Sequence, residues 1–318
     1  MASRIRQAPI TAPRTPEPTH SRGIAAALAT DEPPRYGACV GIDSASFELV
    51  PGWGSDNGFE FGIVSGQATD SGNRLYVVDR EPNPGIVVME SDGAFVAKLG
   101  ADLFKLPHDI FIDEADRMLV TDLADHVVRI CTTDGEVLQT IGTPGEPGAP
   151  GAPFNRPSRA VTAPDGEIYV ADGYGQHHVH RMSADGELIA TWGGQGAGPG
   201  QFSLPHNIWV TDDRVYIADR EPNHRVCVFD RAGNFQDVWV DHHGVCGLFM
   251  TSDGVLLTAE EGKVAFHDSA GKETGSIAVD FPPSDRAHGP HSVWIDSDGS
   301  LYLSEVGVEN LLYKYRPV

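Results

Sequence analysis

The sequence predicts an all-β fold, a six-bladed β-propeller, because one unit of about 40 residues recurs six times along the chain. Each complete unit contains four short apolar runs separated by turns rich in Asp and Gly, a pattern typical of antiparallel strands. The abundance of turn residues, 36 Gly and 23 Pro, also favours an all-β architecture. The six units cover residues 61–100, 103–142, 154–193, 202–239, 245–277 and 288–318.

The two ends of the chain indicate how the ring closes. The sixth unit contains only three strand-like runs, whereas the stretch 46–54 (SFELVPGWG) resembles fourth-strand endings such as GELIATWG. We predict that this N-terminal strand completes the last blade, which closes the ring and removes two exposed sheet edges. The propeller is then one domain over 36–318, and residues 1–35 form a Pro-rich arm that is extended or disordered.

Composition and charge exclude several classes of partner. The 318-residue chain carries a net charge of −22, which repels phosphate backbones and argues against a nucleic-acid partner. No run of 18 apolar residues and no secretory leader is found, so we expect no membrane association. The four cysteines are far apart and form no CxxC pair: Cys39, Cys131, Cys227 and Cys246. We therefore expect a cytoplasmic protein with reduced thiols. Because one chain closes the whole ring, we also expect a monomer or weak homo-oligomer.

Histidines occur on alternate blades at the position expected to face the propeller axis. Aligning the units on their turns places one residue per blade at the start of the first strand: Gly66, His108, Ser158, His206, Cys246 and His291. Alternate blades of a six-fold ring are about 120° apart, so the three imidazoles should converge on one point. Three neutral nitrogens with an open fourth position suit a catalytic zinc ion. The alternative is that the Pro-His pair is only a turn feature inherited with the repeat.

A second set of polar residues follows the second strand of the blades. The acidic residue that ends this strand recurs in most units, and we interpret it as a turn residue that bonds backbone amides. Shortly after it, the sequence varies and includes Arg80, Tyr174 and Arg220. A guanidinium suits a carboxylate, and a tyrosine beside a metal and an arginine can act as a base because its pKa falls. Surface ion pairing or loop packing is the alternative for all three.

The repeats resemble NHL repeats, and three strings resemble the peptidyl-α-hydroxyglycine α-amidating lyase family: FSLPHNIWV, YVADGYGQHHVHRMSADGELIATWG and IADREPNHRVCVFD. The resemblance covers nearly all of the chain after residue 55. It implies a six-bladed propeller that cleaves an N-acyl carbinolamine into an amide and glyoxylate. It also implies a zinc ion on the three histidines, Tyr174 as the catalytic tyrosine, and Arg80 and Arg220 as the residues that hold the substrate carboxylate.

The sequence departs from this family pattern at several places. The resemblance implies a structural calcium ion held by the backbone carbonyls of Gln67 and Ile110 and by an aspartate after the third histidine. Ser292, a poor calcium ligand, stands at that position, and Asp109 is a weaker substitute. Gly289 stands where the family has a methionine, which we expect to open the pocket. No hydroxylating domain or leader is visible, so we expect a small-molecule or short-peptide substrate with a carboxylate.

Two other functions stay open on the sequence alone. A metal-dependent propeller hydrolase, such as a lactonase, generally uses carboxylate and Asn ligands around calcium, whereas three histidines favour zinc. A non-catalytic NHL binding scaffold needs neither alternating histidines nor inward arginines. The remaining histidines, among them His178, His180, His242 and His267, are expected at the surface or in loops, although strand alternation would let His178 or His180 reach the pocket.

Overall fold

The computed structural model describes residues 47–54, 58–279, 289–306 and 312–318, which form six four-stranded antiparallel sheets. These sheets are the six blades of a β-propeller, so the predicted fold class is confirmed. The first strand of each blade contacts the first strands of neighbouring blades, which places these six strands around the axis.

The strands follow the repeat. The first, β1 (Phe47–Leu49), belongs to the last blade. Blade 1 contains β2 (Val64–Thr69), β3 (Leu75–Asp79), β4 (Gly85–Met89) and β5 (Phe95–Leu99), and blade 2 contains β6 (Pro107–Ile112), β7 (Arg117–Asp122), β8 (Val127–Thr132) and β9 (Val137–Ile141). Blade 3 contains β10 (Arg159–Thr162), β11 (Ile168–Asp172), β12 (His178–Met182) and β13 (Leu188–Gly193), and blade 4 contains β14 (Pro205–Val210), β15 (Arg214–Asp219), β16 (Arg225–Asp230) and β17 (Phe235–Trp239). Blade 5 contains β18 (Gly247–Met250), β19 (Leu256–Glu260), β20 (Lys263–His267) and β21 (Glu273–Ala278), and blade 6 contains β22 (Ser292–Ile295), β23 (Leu301–Ser304) and β24 (Leu312–Pro317) besides β1.

Burial decreases from the first three strands of a blade to the fourth. All residues of β2, β3 and β4 are buried, whereas the outermost strand β5 is partly exposed throughout. The inner strands are rich in Val, Ile and Leu because neighbouring blades cover both of their faces. On outer strands, apolar side chains such as Leu138 and Ile189 are about half exposed.

Strand β1 closes the ring by completing blade 6. It pairs antiparallel with β24, with Phe47 opposite Pro317 and Leu49 opposite Tyr315. The ring of Phe47 also stacks on Phe266 of blade 5, with centroids 6.2 Å apart. The predicted closure is therefore confirmed, and the strand also packs against the preceding blade.

Several expectations fall partly outside the described residues. The predicted arm at 1–35, residues 36–46 of the predicted domain and therefore Cys39 lie outside the described residues. Cys131, Cys227 and Cys246 are buried free thiols, as expected. Within the described ranges, no helix is long and apolar enough to cross a membrane. The cytoplasmic location and the oligomeric state stay predictions.

An aromatic cluster fills the axis towards the ends of the first strands. Its members come from blades 2, 4, 5 and 6: Phe111, Trp209, Phe249 and Trp294. The ring centroids of contacting pairs are 5.0–6.3 Å apart, and Trp294 donates a 2.8 Å hydrogen bond to Thr69 of blade 1. Beyond this cluster, a cavity of about 460 Å³ lies among the turns that follow the first strands.

A carboxylate at the end of the second strand anchors the segment that enters the blade. Asp219 accepts hydrogen bonds from the backbone N–H groups of Ser203 (2.8 Å) and Leu204 (2.9 Å). Asp122 and Asp172 accept equivalent bonds in blades 2 and 3. The structural interpretation of this recurring acid is therefore confirmed.

Blade 5 replaces this anchor with a buried network around Glu260. His242 Nδ1 lies 2.8 Å from Glu260 Oε1, and the Thr258 hydroxyl bridges the carboxylate to His267 Nε2. His242 lies in the loop between β17 and β18, as expected, but its side chain is buried. The expectation that His267 is a surface or loop residue is wrong, since it ends β20 and is buried. His180 is also buried and bonded to the acid of its own blade. Sequence reasoning missed these roles because the partners come from different strands.

Replacing Phe47 with Ala should destabilise the protein by about 3 kcal/mol, because it removes the aromatic contact of the closing strand. Urea-induced unfolding followed by tryptophan fluorescence measures this loss. The matched control, Leu138→Ala on an exposed outer strand, should change stability by less than about 0.5 kcal/mol. If both substitutions lowered the unfolding free energy equally, the contacts of Phe47 in β1 would stabilise the protein no more than an exposed side chain does.

Stability should depend on Glu260 in a pH-dependent way. Burial opposes its ionisation, but hydrogen bonds from His242, His267 and Thr258 outweigh this and lower the pKa of Glu260 from 4.5 to about 2. A lowered folded-state pKa stabilises the protein above pH 4.5, and this contribution disappears as the pH falls towards 2. Its full size is on the order of 3 kcal/mol.

The Glu260→Gln variant should therefore lose about 1–3 kcal/mol of unfolding free energy at pH 7. The difference from the wild type should shrink at pH 3.5, measured by urea unfolding at both pH values. The exposed neighbour offers a control, since Glu261→Gln should leave both values unchanged. A difference that is the same at both pH values would contradict the lowered pKa.

Candidate metal centre and active site

A β-bulge at the start of the first strand directs two of the three axial histidines. In blade 2 the register shifts between Pro107 and Asp109, so His108 is the extra residue of the bulge. Blade 4 shows the same shift around His206. Such bulges re-aim a side chain. Both the histidine and the residue after it can therefore contribute to the axial region.

The three histidines meet at the axis. The ring centroids of His108, His206 and His291 are 5.0, 5.1 and 4.8 Å apart, and all three side chains are buried. Each Nδ1 lies 2.6–2.8 Å from a backbone carbonyl oxygen of an odd-numbered blade. The accepting carbonyls belong to Ser158, Cys246 and Ser65. With Nδ1 as the donor, the lone pair of each Nε2 is left available.

Burial keeps these imidazoles neutral. Desolvation lowers the pKa of His108 and His206 well below the usual value, and it lowers the pKa of His291 to about 3. The charges of Arg220 and Arg80 lower the pKa of His291 further. One ligand nitrogen from each histidine lies within 4.8 Å of the others. Three neutral nitrogens at this spacing fit a metal ion with an open fourth position.

The hydroxyl group of Tyr174 lies beside the ring formed by the three axial histidines (His108, His206 and His291), called the histidine ring below. It is 3.2 Å from Nε2 of His108 and 3.1 Å from Nε2 of His206. Burial raises the pKa of Tyr174, while the positive charges of Arg220 and Arg80 oppose this rise. The expected lowering of this pKa is therefore not produced by the chain alone. A metal ion at the imidazoles would act in the same direction as the arginines.

Two glycines flank Tyr174 because the backbone there is closely packed. A Cβ atom on Gly173 would lie 2.3 Å from the carbonyl oxygen of Pro205. A Cβ atom on Gly175 would lie 2.3 Å from the carbonyl oxygen of Asn155. The Gly-Tyr-Gly sequence thus lets the blade 3 loop come close enough to blade 4 to place the tyrosine at the axis.

Arg80 and Arg220 occupy equivalent positions after β3 and β15. The backbone N–H of Arg220 donates to Leu204, and its Nε donates to Glu221 Oε2 at 3.1 Å. Its side chain is 17% exposed. Both arginines act on Tyr174 and on His291 through their charge. The structure thus brings the predicted arginines, tyrosine and histidines to one site.

Gly289 does not open the pocket as expected. A Cβ atom there would lie 2.5 Å from the carbonyl oxygen of Glu260 and 2.9 Å from Cα of Glu261. The space of a longer side chain is therefore filled by the blade 5 backbone. The glycine permits close packing of two blades instead of enlarging the site.

The predicted calcium ligands do not fit a calcium ion. Nη1 of Arg159 lies 2.7 Å from Oδ1 of Asp109 and 3.3 Å from the carbonyl oxygen of Ile110. A divalent cation at these oxygens would be repelled by the guanidinium group. Sequence reasoning missed Arg159, whose signal was an arginine directly after an axial position in a buried strand.

A second group with metal-ligand chemistry is the blade 5 network of His242, Glu260 and His267. The hydrogen bonds described above connect all three side chains, through Thr258 in the case of His267. Lys263 Nζ also lies 3.8 Å from Glu260 Oε2. This network replaces the carboxylate anchor described for blades 2, 3 and 4, which accounts for its composition without a metal ion.

Sequence comparisons identify two kinds of relative, although no family model matches the chain. NHL repeat-containing protein 3 from Homo sapiens is 28% identical over 297 residues, covering 86% of this chain and 84% of the relative. Peptidyl-alpha-hydroxyglycine alpha-amidating lyase 2 from Drosophila melanogaster is 27% identical, covering 76% of this chain and 64% of the relative. Peptidyl-glycine alpha-amidating monooxygenase A from Xenopus laevis is 28% identical over 73% of this chain, which corresponds to 27% of that longer protein.

Solved structures support the fold. A gluconolactonase from Xanthomonas campestris superposes with a TM-score of 0.65 at 16% identity, covering 87% of this chain and 91% of that one. Virginiamycin B lyase from Staphylococcus aureus superposes with a TM-score of 0.56 at 14% identity, covering 86% and 88%. At these identities the likeness concerns the propeller alone. By sequence, the chain is homologous, at moderate identity over most of its length, to NHL repeat-containing protein 3 and to peptidyl-α-hydroxyglycine α-amidating lyases.

Proposed function

We propose that this protein is a zinc-dependent lyase that cleaves the C–N bond of an N-acyl carbinolamine, releasing an amide and glyoxylate or a related carbonyl compound. The observation that carries the proposal is the Tyr174 hydroxyl, 3.1–3.2 Å from Nε2 of two histidines in a ring of three. The sequence relationship to peptidyl-α-hydroxyglycine α-amidating lyases supports it.

The histidine ring supports zinc over calcium. Its donors are neutral imidazole nitrogens, and their Nδ1 atoms are already held by backbone carbonyls. Calcium prefers oxygen ligands, whereas zinc binds imidazole readily. When bound, zinc would supply a Lewis acid that stabilises negative charge on a substrate oxygen. The same donors favour this reaction over a calcium-dependent hydrolase.

Tyr174 is the proposed proton carrier. Its phenolate would accept the proton of the substrate hydroxyl as the oxygen becomes a carbonyl. The C–N bond breaks in the same step, the electron pair goes to the amide nitrogen, and the proton is delivered to that nitrogen. Each carbinolamine molecule therefore yields one amide and one aldehyde. Burial raises the pKa of Tyr174, and the charges of Arg220 and Arg80 oppose this rise. A metal ion on the histidines would favour the phenolate further.

The two arginines also suit the acid end of the substrate. Their charges act on the same side chains, Tyr174 and His291, so a carboxylate near the hydroxyl would be held between two cations. In this otherwise acidic protein, such a cationic site favours an anionic ligand. We therefore propose a small-molecule or short-peptide substrate with a carboxylate beside the carbinol carbon.

Elemental analysis of the purified protein should find about one zinc per chain, because three buried nitrogens converge. The His206→Ala variant should lose this metal. The His178→Ala variant, altered at a histidine outside the ring, should retain it. Finding calcium but no zinc would favour the hydrolase alternative. Finding no metal in protein purified without any chelator would favour the non-catalytic binding scaffold.

Zinc-loaded protein should release glyoxylate from an N-acyl-α-hydroxyglycine. The Tyr174→Phe variant should lower kcat by about 100-fold or more while retaining the metal, because it removes the proton carrier. A coupled assay for glyoxylate measures this, with Tyr216→Phe, a buried tyrosine of blade 4, as the control. No glyoxylate release by zinc-loaded wild type, or full activity of Tyr174→Phe, would contradict the proposal.

A further inference from the structure

Beneath the histidine ring lies a second layer of polar residues. Each blade contributes the residue that follows its axial position: Gln67, Asp109, Arg159, Asn207, Gly247 and Ser292. All six are buried, and five of them carry a polar side chain. This layer includes one carboxylate and one guanidinium, Asp109 and Arg159, each about 1% exposed.

Asp109 joins three blades through its carboxylate. Its Oδ1 accepts from Nη1 of Arg159 in blade 3 at 2.7 Å, and its Oδ2 accepts from Nδ2 of Asn207 in blade 4 at 3.2 Å. The backbone N–H of Ile110 also donates to it at 2.8 Å. A buried carboxylate without a cation is strongly destabilising. Arg159 is the cationic group that meets it among the described residues.

Arg159 is positioned by few contacts besides this carboxylate. The same Nη1 reaches the carbonyl of Ile110 at 3.3 Å, and the guanidinium carbon lies 5.9 Å from the ring centroid of Phe111. Its Nε and Nη2 have no hydrogen-bond partner in the described structure. Neither do Oε1 of Gln67 and Oδ1 of Asn207. The guanidinium is thus held chiefly by charge.

We propose that Arg159 is the built-in cation of the propeller axis, and that it neutralises Asp109 and makes a bound divalent ion unnecessary. This inference does not depend on the reaction at the histidine ring. It explains why the calcium ligands expected from the sequence do not fit: a side chain of the protein already supplies the positive charge.

The layer would become a calcium site if the guanidinium were removed. The groups that contact the guanidinium are oxygen donors, the Asp109 carboxylate and the Ile110 carbonyl. The same layer of residues contains the unpartnered side-chain oxygens of Gln67 and Asn207, and the Asn207 amide already contacts the Asp109 carboxylate. Carboxylate and carbonyl oxygens are the ligands that calcium takes. The histidine ring does not compete, because calcium prefers oxygen over imidazole nitrogen.

The test compares thermal unfolding of the zinc-loaded full chain in a calcium-specific chelator and in millimolar CaCl₂. We expect the wild type to contain no calcium and to show the same Tm in both. We expect Arg159→Ala to have a lower Tm in chelator and to recover by about 4 °C or more with CaCl₂, in a saturable manner. Arg225→Ala is the matched control, since it breaks the buried ion pair with Asp219 in blade 4 and should not respond to calcium.

Two further variants keep the test decisive if Arg159→Ala does not fold. Arg159→Lys retains a cation and should fold without a calcium response. The charge-free pair Asp109→Asn with Arg159→Met should be more stable than Arg159→Ala, because no buried charge is left alone. The proposal is overturned if the wild type binds or responds to calcium, if Arg159→Ala folds but does not respond, or if the charge-free pair is as damaged as Arg159→Ala.

Discussion

The meeting of six first strands around one axis is the constraint on which the rest of the structure depends. His108 and His291 are 183 positions apart, yet their rings are 5.1 Å apart because the ring closes. Closure relies on the pairing of β1 with β24, which joins the two ends of the described chain. The backbone carbonyls that orient the histidines also come from neighbouring blades. The proposed metal centre is thus a product of the closed ring and not of any single blade.

The side chains around the propeller axis lie in successive layers along it. Neutral imidazoles form one layer, the Asp109–Arg159 ion pair forms the next, and aromatic rings follow. Because the ion pair has no net charge, it leaves the imidazole layer free to receive a cation. The two arginines that act on Tyr174 come from different elements, the turns after the second strands. The positive charge beside Tyr174 therefore comes from arginines in the turns, whereas the two charges of the buried ion pair neutralise each other.

Sequence reasoning could predict the features that repeat. The blade count, the closing strand and the alternate histidines all follow from aligning six copies, since equivalent positions in a repeat occupy equivalent places. It failed where a residue depends on a partner in another blade or strand. The sequence predicts His242 and His267 at the surface or in loops, whereas both side chains are buried in a network with Glu260 and Thr258. The contact between Arg159 and Asp109 likewise joins two copies, and no single copy contains it.

The aromatic cluster of Phe111, Trp209, Phe249 and Trp294 has a consequence for molecular traffic. A propeller axis can be an open channel, but these rings contact one another across it below the buried ion pair. A molecule that reaches the three histidines from the loop side would then have to leave by that side. If two products form there, one has to depart past the other or wait behind it. The order of their release would then depend on the depth at which each is held.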